Sequence, residues 1–295
     1  MKKPFARPVI QALPAIAAGD PGVSPFTLSV GRLAGRTYLR SFIGGAKIRL
    51  EDTGPFAAAF ERALSGRSRC IIALRHQNGW EPQTLMWYVI TGFAGAARRR
   101  GVTFPQRPSL TFVHGYEVLR WGGPLARWLL PRIGAIPVHH TKLDSRGMAR
   151  IYRALETGPY PLVIAPEGQV SYTLSMPPRI ESGAARIGLT VAERLRSSGA
   201  DAAVEILPVA LYPRYGERGW RGVEALTAQV EGLCGITGRG DLRERFLRLR
   251  EAILGANEVR YGLLPQGDFP SRLDGVIEAA LARTADILGI PRTDP

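Results

Sequence analysis

Cysteine is scarce: Cys70 and Cys234 are the only two in 295 residues. That excludes a disulfide framework and a cysteine-based zinc cluster, and makes a reducing compartment the default. Long apolar runs are also missing. No stretch reaches the eighteen or so uninterrupted apolar residues that a spanning helix needs. The chain contains no G-x-S-x-G elbow, so an ordinary serine esterase has no nucleophile. It has no Walker loop and no G-x-G-x-x-G turn, so nucleotide binding has no anchor. Near the start, Gln11 and prolines 4, 8 and 14 interrupt a mildly apolar region. That pattern argues against a signal peptide, and residues 1–24 are read as an irregular arm.

Positive charge, by contrast, is plentiful. The formal net charge is +14, and nearly all of the positive charge is arginine spread along the chain. Such an excess favours an anionic partner: nucleic acid, a phosphate-bearing substrate or an anionic membrane surface. The arginines are interleaved with core-type helices, form no single basic stripe and accompany no recognisable nucleic-acid motif, so no nucleic-acid partner is expected.

Apolar spacing predicts strands alternating with helices. Strands are expected at 47–51, 69–74, 109–114, 134–140, 161–166 and 204–212, the last of them central. Helices are expected at 26–43, 55–64, 82–97, 123–133, 144–156 and 181–197. This alternation implies an α/β fold with a mixed, largely parallel central sheet flanked by helices. From residue 213 the pattern changes to helices alone, near 222–234, 241–254 and 271–288. Asp241-x-x-Glu244 and Ser271-x-x-Asp274 read as capping boxes for the last two. The expected organisation is an arm over 1–24, an α/β domain over 25–212, and a helical extension over 213–295 packed on it.

The chemistry concentrates where strand 69–74 ends. Arg75-His76-Gln77-Asn78 follows the strand, and Glu81 stands five residues beyond His76. On a straight helix those two side chains would lie roughly 140° apart. They converge only if His76 sits in the turn and Glu81 opens the helix. Pro82 suits the first helical position, and a carboxylate just before it meets the positive end of the helix dipole. Glu81 would then fix one imidazole nitrogen and leave the other to take a proton, as in general-base catalysis. A loop histidine with no chemical role has the same local sequence. Three further signals accompany the pair. Pro166-Glu167-Gly168 directly follows a buried strand, where α/β folds place functional groups. Gly134-Ala135-Ile136-Pro137-Val138 opens another strand. Leu207-Pro208-Val209 puts a proline inside a third, which marks an edge, a bulge or a site.

These four blocks, in this order, resemble the glycerophospholipid acyltransferases, which acylate 1-acylglycerol-3-phosphate and related lysolipids. The resemblance covers about residues 25–212. The family's N-H-x4-D corresponds to Arg75-His76-x4-Glu81, and its G-x-I-x-(I/V)-x-R to Gly134 through Val138, with His140 in place of the arginine. Its F-P-E-G-T-R-S corresponds to Ala165-Pro166-Glu167-Gly168-Gln169-Val170-Ser171, and its (I/V)-P-V to Leu207-Pro208-Val209. The resemblance implies that His76, supported by Glu81, deprotonates an acceptor hydroxyl. That hydroxyl then attacks an acyl thioester with no acyl-enzyme intermediate. It also implies that Glu167 and Gly168 help bind the acceptor. The family's phosphate-holding arginines are lost here, so Arg132, Arg146, Arg150, Arg179 and His140 are the candidates to take their place.

The implied co-substrate is acyl-CoA or acyl-carrier protein, with no bound cofactor and no metal. Adjacent His139 and His140 would face opposite sides of a strand and make poor joint ligands. The implied partners are a lysolipid acceptor and a membrane surface, with the protein cytoplasmic and peripheral on the inner face. Two segments suit an interface: the arginine-bearing helix 26–43, and 119–133 with Trp121 and Trp128 among arginines. Either could equally pack on its own domain. Two alternatives stay open: a catalytically silent lipid-binding relative, and an acyltransferase for an amino-lipid or lipid A-type acceptor.

Overall fold

The computed structural model describes residues 19–43, 48, 51, 53–139, 144–173 and 180–290. The chain divides between Tyr212 and Pro213 into two compact units. In the first, the strands are β1 (Ser68–Leu74), β2 (Thr111–Gly115), β3 (Ala135–Val138), β4 (Leu162–Ile164) and β5 (Ala203–Val209). They form one sheet in the order β3-β2-β4-β1-β5, and every pair is parallel. The sheet is therefore not mixed. The expected strand at 47–51 lies largely outside the described residues. β5 stands at the edge of the sheet, not at its centre, and Pro208 sits there opposite Ala73 of β1. A residue with no N–H to donate is accommodated on an edge.

Strand residues alternate between two cores, one on each face of the sheet. Cys70, Ile72 and Leu74 point into the first, and Ile71 into the second. The helices are α1 (Pro25–Tyr38), α2 (Thr53–Leu64), α3 (Glu81–Tyr88), α4 (Ala94–Arg98), α5 (Tyr116–Trp121), α6 (Gly123–Arg132), α7 (Ser145–Thr157) and α8 (Gly183–Ser197). The first core is covered by α1 to α4 and centred on Phe56, Phe60 and Phe93, whose ring centroids lie 4.9–5.0 Å apart. The second is covered by α7 and α8, through Ile151, Leu155, Ile187 and Val191.

A π-turn, Val89–Phe93, joins α3 to α4. Val89, Ile90 and Phe93 of this turn are all buried. A similar π-turn, Leu39–Ile43, follows α1. Sequence periodicity misses α5 because the helix is short, buries one residue (Leu119) and lies between glycines.

The second unit comprises α9 (Glu217–Leu233), α10 (Leu242–Tyr261) and α11 (Phe269–Leu288). Asp241 and Glu244 form the reciprocal capping box of α10. Ser271 and Asp274 do not form one for α11. That helix starts earlier, with Asp268 as its cap accepting from Ser271 N at 3.1 Å. Pro270 explains the shift: its ring pre-sets a first helical turn and needs no partner for an N–H. Arg245 grips Glu231 through two bonds of 2.9 and 2.7 Å, joining α10 to α9. Arg272 grips Glu258 at 2.7 and 2.8 Å, joining α11 to α10. Among the described residues, no helix is long and apolar enough to cross a membrane.

Candidate active site

A parallel sheet puts the carboxyl ends of all its strands along one margin, where α/β proteins assemble their sites. β1 lies between β4 and β5, so the turns after β1 and β4 are neighbours. The turn after β1 carries Arg75 to Trp80, and Glu81 is the first residue of α3.

Glu81 is completely buried, yet its carboxylate is fully engaged. Oε1 accepts from the backbone N–H of Gln77 at 3.1 Å and of Asn78 at 2.7 Å. Oε2 accepts from Gly79 N at 3.0 Å and lies 3.1 Å from His76 Nδ1. Gly79 takes φ +84, which closes this loop around the carboxylate and suits glycine alone. Burial by itself would raise the pKa of Glu81. The hydrogen bonds from His76 and from backbone N–H groups outweigh it, and the group is held below its ordinary value. An ionised Glu81 only accepts, so Nδ1 of His76 carries the shared proton, and in the neutral imidazole Nε2 is then the nitrogen with the lone pair. The His76 side chain is 21% exposed, enough for a reactant to approach.

The main chain of His76 is held from the neighbouring turn. Its N–H donates to Glu167 Oε2 at 3.2 Å, and its carbonyl accepts from Ser171 N at 2.8 Å and Ser171 Oγ at 3.3 Å. Glu167 Oε1 accepts from Arg75 Nε at 2.8 Å. Gly168 adopts φ +71 and donates to Ala165 O at 3.1 Å, making the tight turn that directs Glu167 inward. Arg75 N donates to Val209 O at 2.9 Å, so the end of β5 completes the contact. The blocks at 75–81, 165–171 and 207–209 thus meet at one point.

The block at 134–138 does not join them. β3 is three strand spacings from β1, about 14 Å at about 4.8 Å per strand. Arg132 donates to Trp128 O at 2.7 Å and lies over the Trp128 ring. Arg150 pairs with Asp20 at 2.8 Å. Arg146 is exposed on the first turn of α7. Among the described residues, none of these three bonds to His76 or Glu81. Arg179 and His140 lie outside the described residues. His139 stacks on Tyr116 with ring centroids 4.0 Å apart.

Sequence reasoning passes over Arg75, Gln77 and the backbone-holding role of Ser171. Arg75 is visible as a cation beside the histidine, but its partner 92 residues away can be named only once β1 and β4 are known to be adjacent. Gln77 is fully buried, and neither polar atom of its amide finds a partner among the described residues. An unpaired buried amide costs about 1–3 kcal/mol, and such strain concentrates near functional turns.

The arrangement holds an imidazole in one tautomer, fixed through ring and backbone, and among the described residues Nε2 has no hydrogen-bond partner, so it can accept a proton. Compared with known proteins, the chain matches no family model and no curated sequence.

Proposed function

We propose that the protein is an acyltransferase. It moves a fatty acyl group from acyl-CoA or acyl-carrier protein to the hydroxyl of a lysophospholipid or related glycerolipid. The observation that carries this reading is the His76–Glu81 pair, with Nδ1 held 3.1 Å from a buried, ionised carboxylate. His76 Nε2 takes the proton of the acceptor hydroxyl as its oxygen attacks the thioester carbonyl. The tetrahedral species collapses, the carbon–sulfur bond breaks, and the imidazolium returns the proton to the departing thiolate. An ester and a free thiol result, the histidine is regenerated, and no bound cofactor enters the cycle.

The acceptor would lie at the carboxyl margin of the sheet. Arg132 and Arg150 are committed to Trp128 and Asp20, and Gln169 and Val170 replace a threonine and an arginine of the family pattern. Selection for a phosphate monoester should therefore be weak.

The acceptor is amphipathic, which favours access from a bilayer. Two surfaces support peripheral attachment on the cytoplasmic face. Along α1 and its π-turn, Phe26, Leu33 and Phe42 are exposed among Arg32, Arg36 and Arg40. Along α5 and α6, Trp121, Leu125 and Trp128 are exposed. Neither 25–43 nor 123–132 contains an acidic residue. Attachment of this kind weakens as salt screens the charges.

The test is direct: purified protein, labelled acyl thioesters of both kinds and a panel of lysolipids. Transfer by the unmodified protein and its loss in His76→Ala support the reading. No transfer from either donor to any acceptor removes it. A strong preference for lysophosphatidic acid would overturn the acceptor inference alone.

A further inference from the structure

We propose that Arg75 is a positioning residue that sets the placement of His76 through Glu167, and that its charge is spent inside the protein and not offered to the acceptor. The inference rests on the acyltransferase reading above for its kinetic consequences, though not for its structural ones.

Arg75 is the residue before the base, and its N–H makes the last rung between β1 and β5, to Val209 O. Its backbone is therefore fixed by the sheet. Its side chain leaves that fixed point toward the turn after β4 and meets it twice. Nε donates to Glu167 Oε1 at 2.8 Å, and Nη2 donates to Thr173 O at 3.2 Å. The second oxygen of Glu167 accepts the N–H of His76 itself. Ser171, between the two points that Arg75 holds, donates to the carbonyl of His76. One guanidinium thus pins the 167–173 turn at two places, and that turn grips the base on both sides of its peptide unit.

The electrostatics require the pair. The Glu167 side chain is 1% exposed and that of Arg75 19%. A carboxylate so buried is stable as an ion only beside a partner, and removing one member of such a pair leaves an uncompensated charge. Both of the named donations of Arg75 go to the protein's own groups, the buried Glu167 carboxylate and the surface carbonyl of Thr173, which is the geometry of support and not of capture.

The experiment compares the full chain with Arg75→Met, Arg75→Lys, Glu167→Gln and the double variant Arg75→Met/Glu167→Gln. Two readouts are used: kcat and KM for donor and acceptor, and amide hydrogen exchange at His76 and Ser171. For Arg75→Met the expected result is a kcat about 10–100-fold lower with both KM values little changed. Misplacing a reacting group by about 1 Å can cost about 10²-fold in rate. Exchange at His76 and Ser171 should accelerate. Arg75→Lys should recover part of the loss. The double variant should be no worse than Arg75→Met, because it leaves no charged carboxylate unpaired.

A raised acceptor KM with unchanged kcat would overturn the proposal and make Arg75 an acceptor-binding residue. Unchanged kcat and unchanged exchange would also overturn it. Should Arg75→Met fail to fold, Glu167→Gln decides between the outcomes, since it keeps an acceptor for His76 N–H and loses only the charge partner. Should the unmodified protein transfer no acyl group, the functional reading fails, and the exchange measurements still decide whether Arg75 holds the base.

Discussion

The first unit closes Phe56, Phe60 and Phe93 on one another beneath a five-stranded sheet, whereas the second joins α9, α10 and α11 through arginine–glutamate pairs. Among the described residues, Leu249 and Leu254 are the buried apolar residues of the second unit. α11 buries none of its side chains, although Leu273, Ile277 and Leu281 recur at helical spacing along it. The sequences of both units show amphipathic helices. In one, the apolar stripes of α2, α3, α7 and α8 meet a sheet face; in the other, the bonds that fix helix to helix are directional and charged. Periodicity dictates that a helix forms and leaves open what it lies against.

The largest expected effect belongs to the first unit alone. His76→Ala should lower turnover about 10²–10⁴-fold, the usual share of a general base, with the melting temperature little changed. Glu81→Gln should hurt less, because the imidazole remains and loses only its charged partner. Glu81→Asp should keep much of the activity. Near-normal turnover in folded His76→Ala would reduce the pair to a loop histidine and its cap.

Next come two truncations that set the cores against each other. Phe60→Ala should cost about 3–5 kcal/mol, as for other buried aromatics. Leu281→Ser, at a position 59% exposed, should change stability by no more than about 0.5 kcal/mol. Denaturant unfolding of both variants checks this. A large loss for Leu281→Ser would mean that α11 has a partner in solution.

A smaller effect should appear in the second unit as the pH falls. Hydrogen bonds and charge from Arg245 and Arg272 hold Glu231 and Glu258 below the ordinary carboxylate range. Their contribution is fully present above the unfolded pKa of about 4.3 and is lost as pH falls through the lower folded value. Amide protection in α9 to α11, taken relative to the intrinsic exchange rate at each pH, should therefore fall on acidification, and Arg272→Met should flatten that dependence while weakening the unit at neutral pH.

The smallest measurable difference is in thiol reactivity. Burial, with the nearby charge of Glu205, pushes the Cys70 thiol up to about 12, and Cys234 is only half-buried. A thiol reagent should modify Cys234 in the folded chain and reach Cys70 only on unfolding. Early labelling of Cys70 would mean that the first unit opens more easily than the second.

Sequence alone determined the alternation of strands and helices, since a run such as Cys70 to Leu74 needs two apolar layers and a stripe such as Leu85, Val89 and Phe93 needs one. It also determined that Glu81 must open a helix to meet His76, because the spacing allows no other local geometry and Pro82 marks the start. It did not reveal the π-turn at Val89–Phe93, because a regular and a wider turn bury the same positions there, or that Asp268 would cap α11 ahead of Ser271. Only tertiary structure decided that β5 is an edge, that β3 stands apart from β1, and that Arg75 reaches Glu167. The physical reason is that local pattern acts through steric preferences and burial within a few residues. Strand order, by contrast, depends on which of many possible parallel pairings buries the most apolar surface at once, and that choice places residues 92 positions apart within hydrogen-bonding distance.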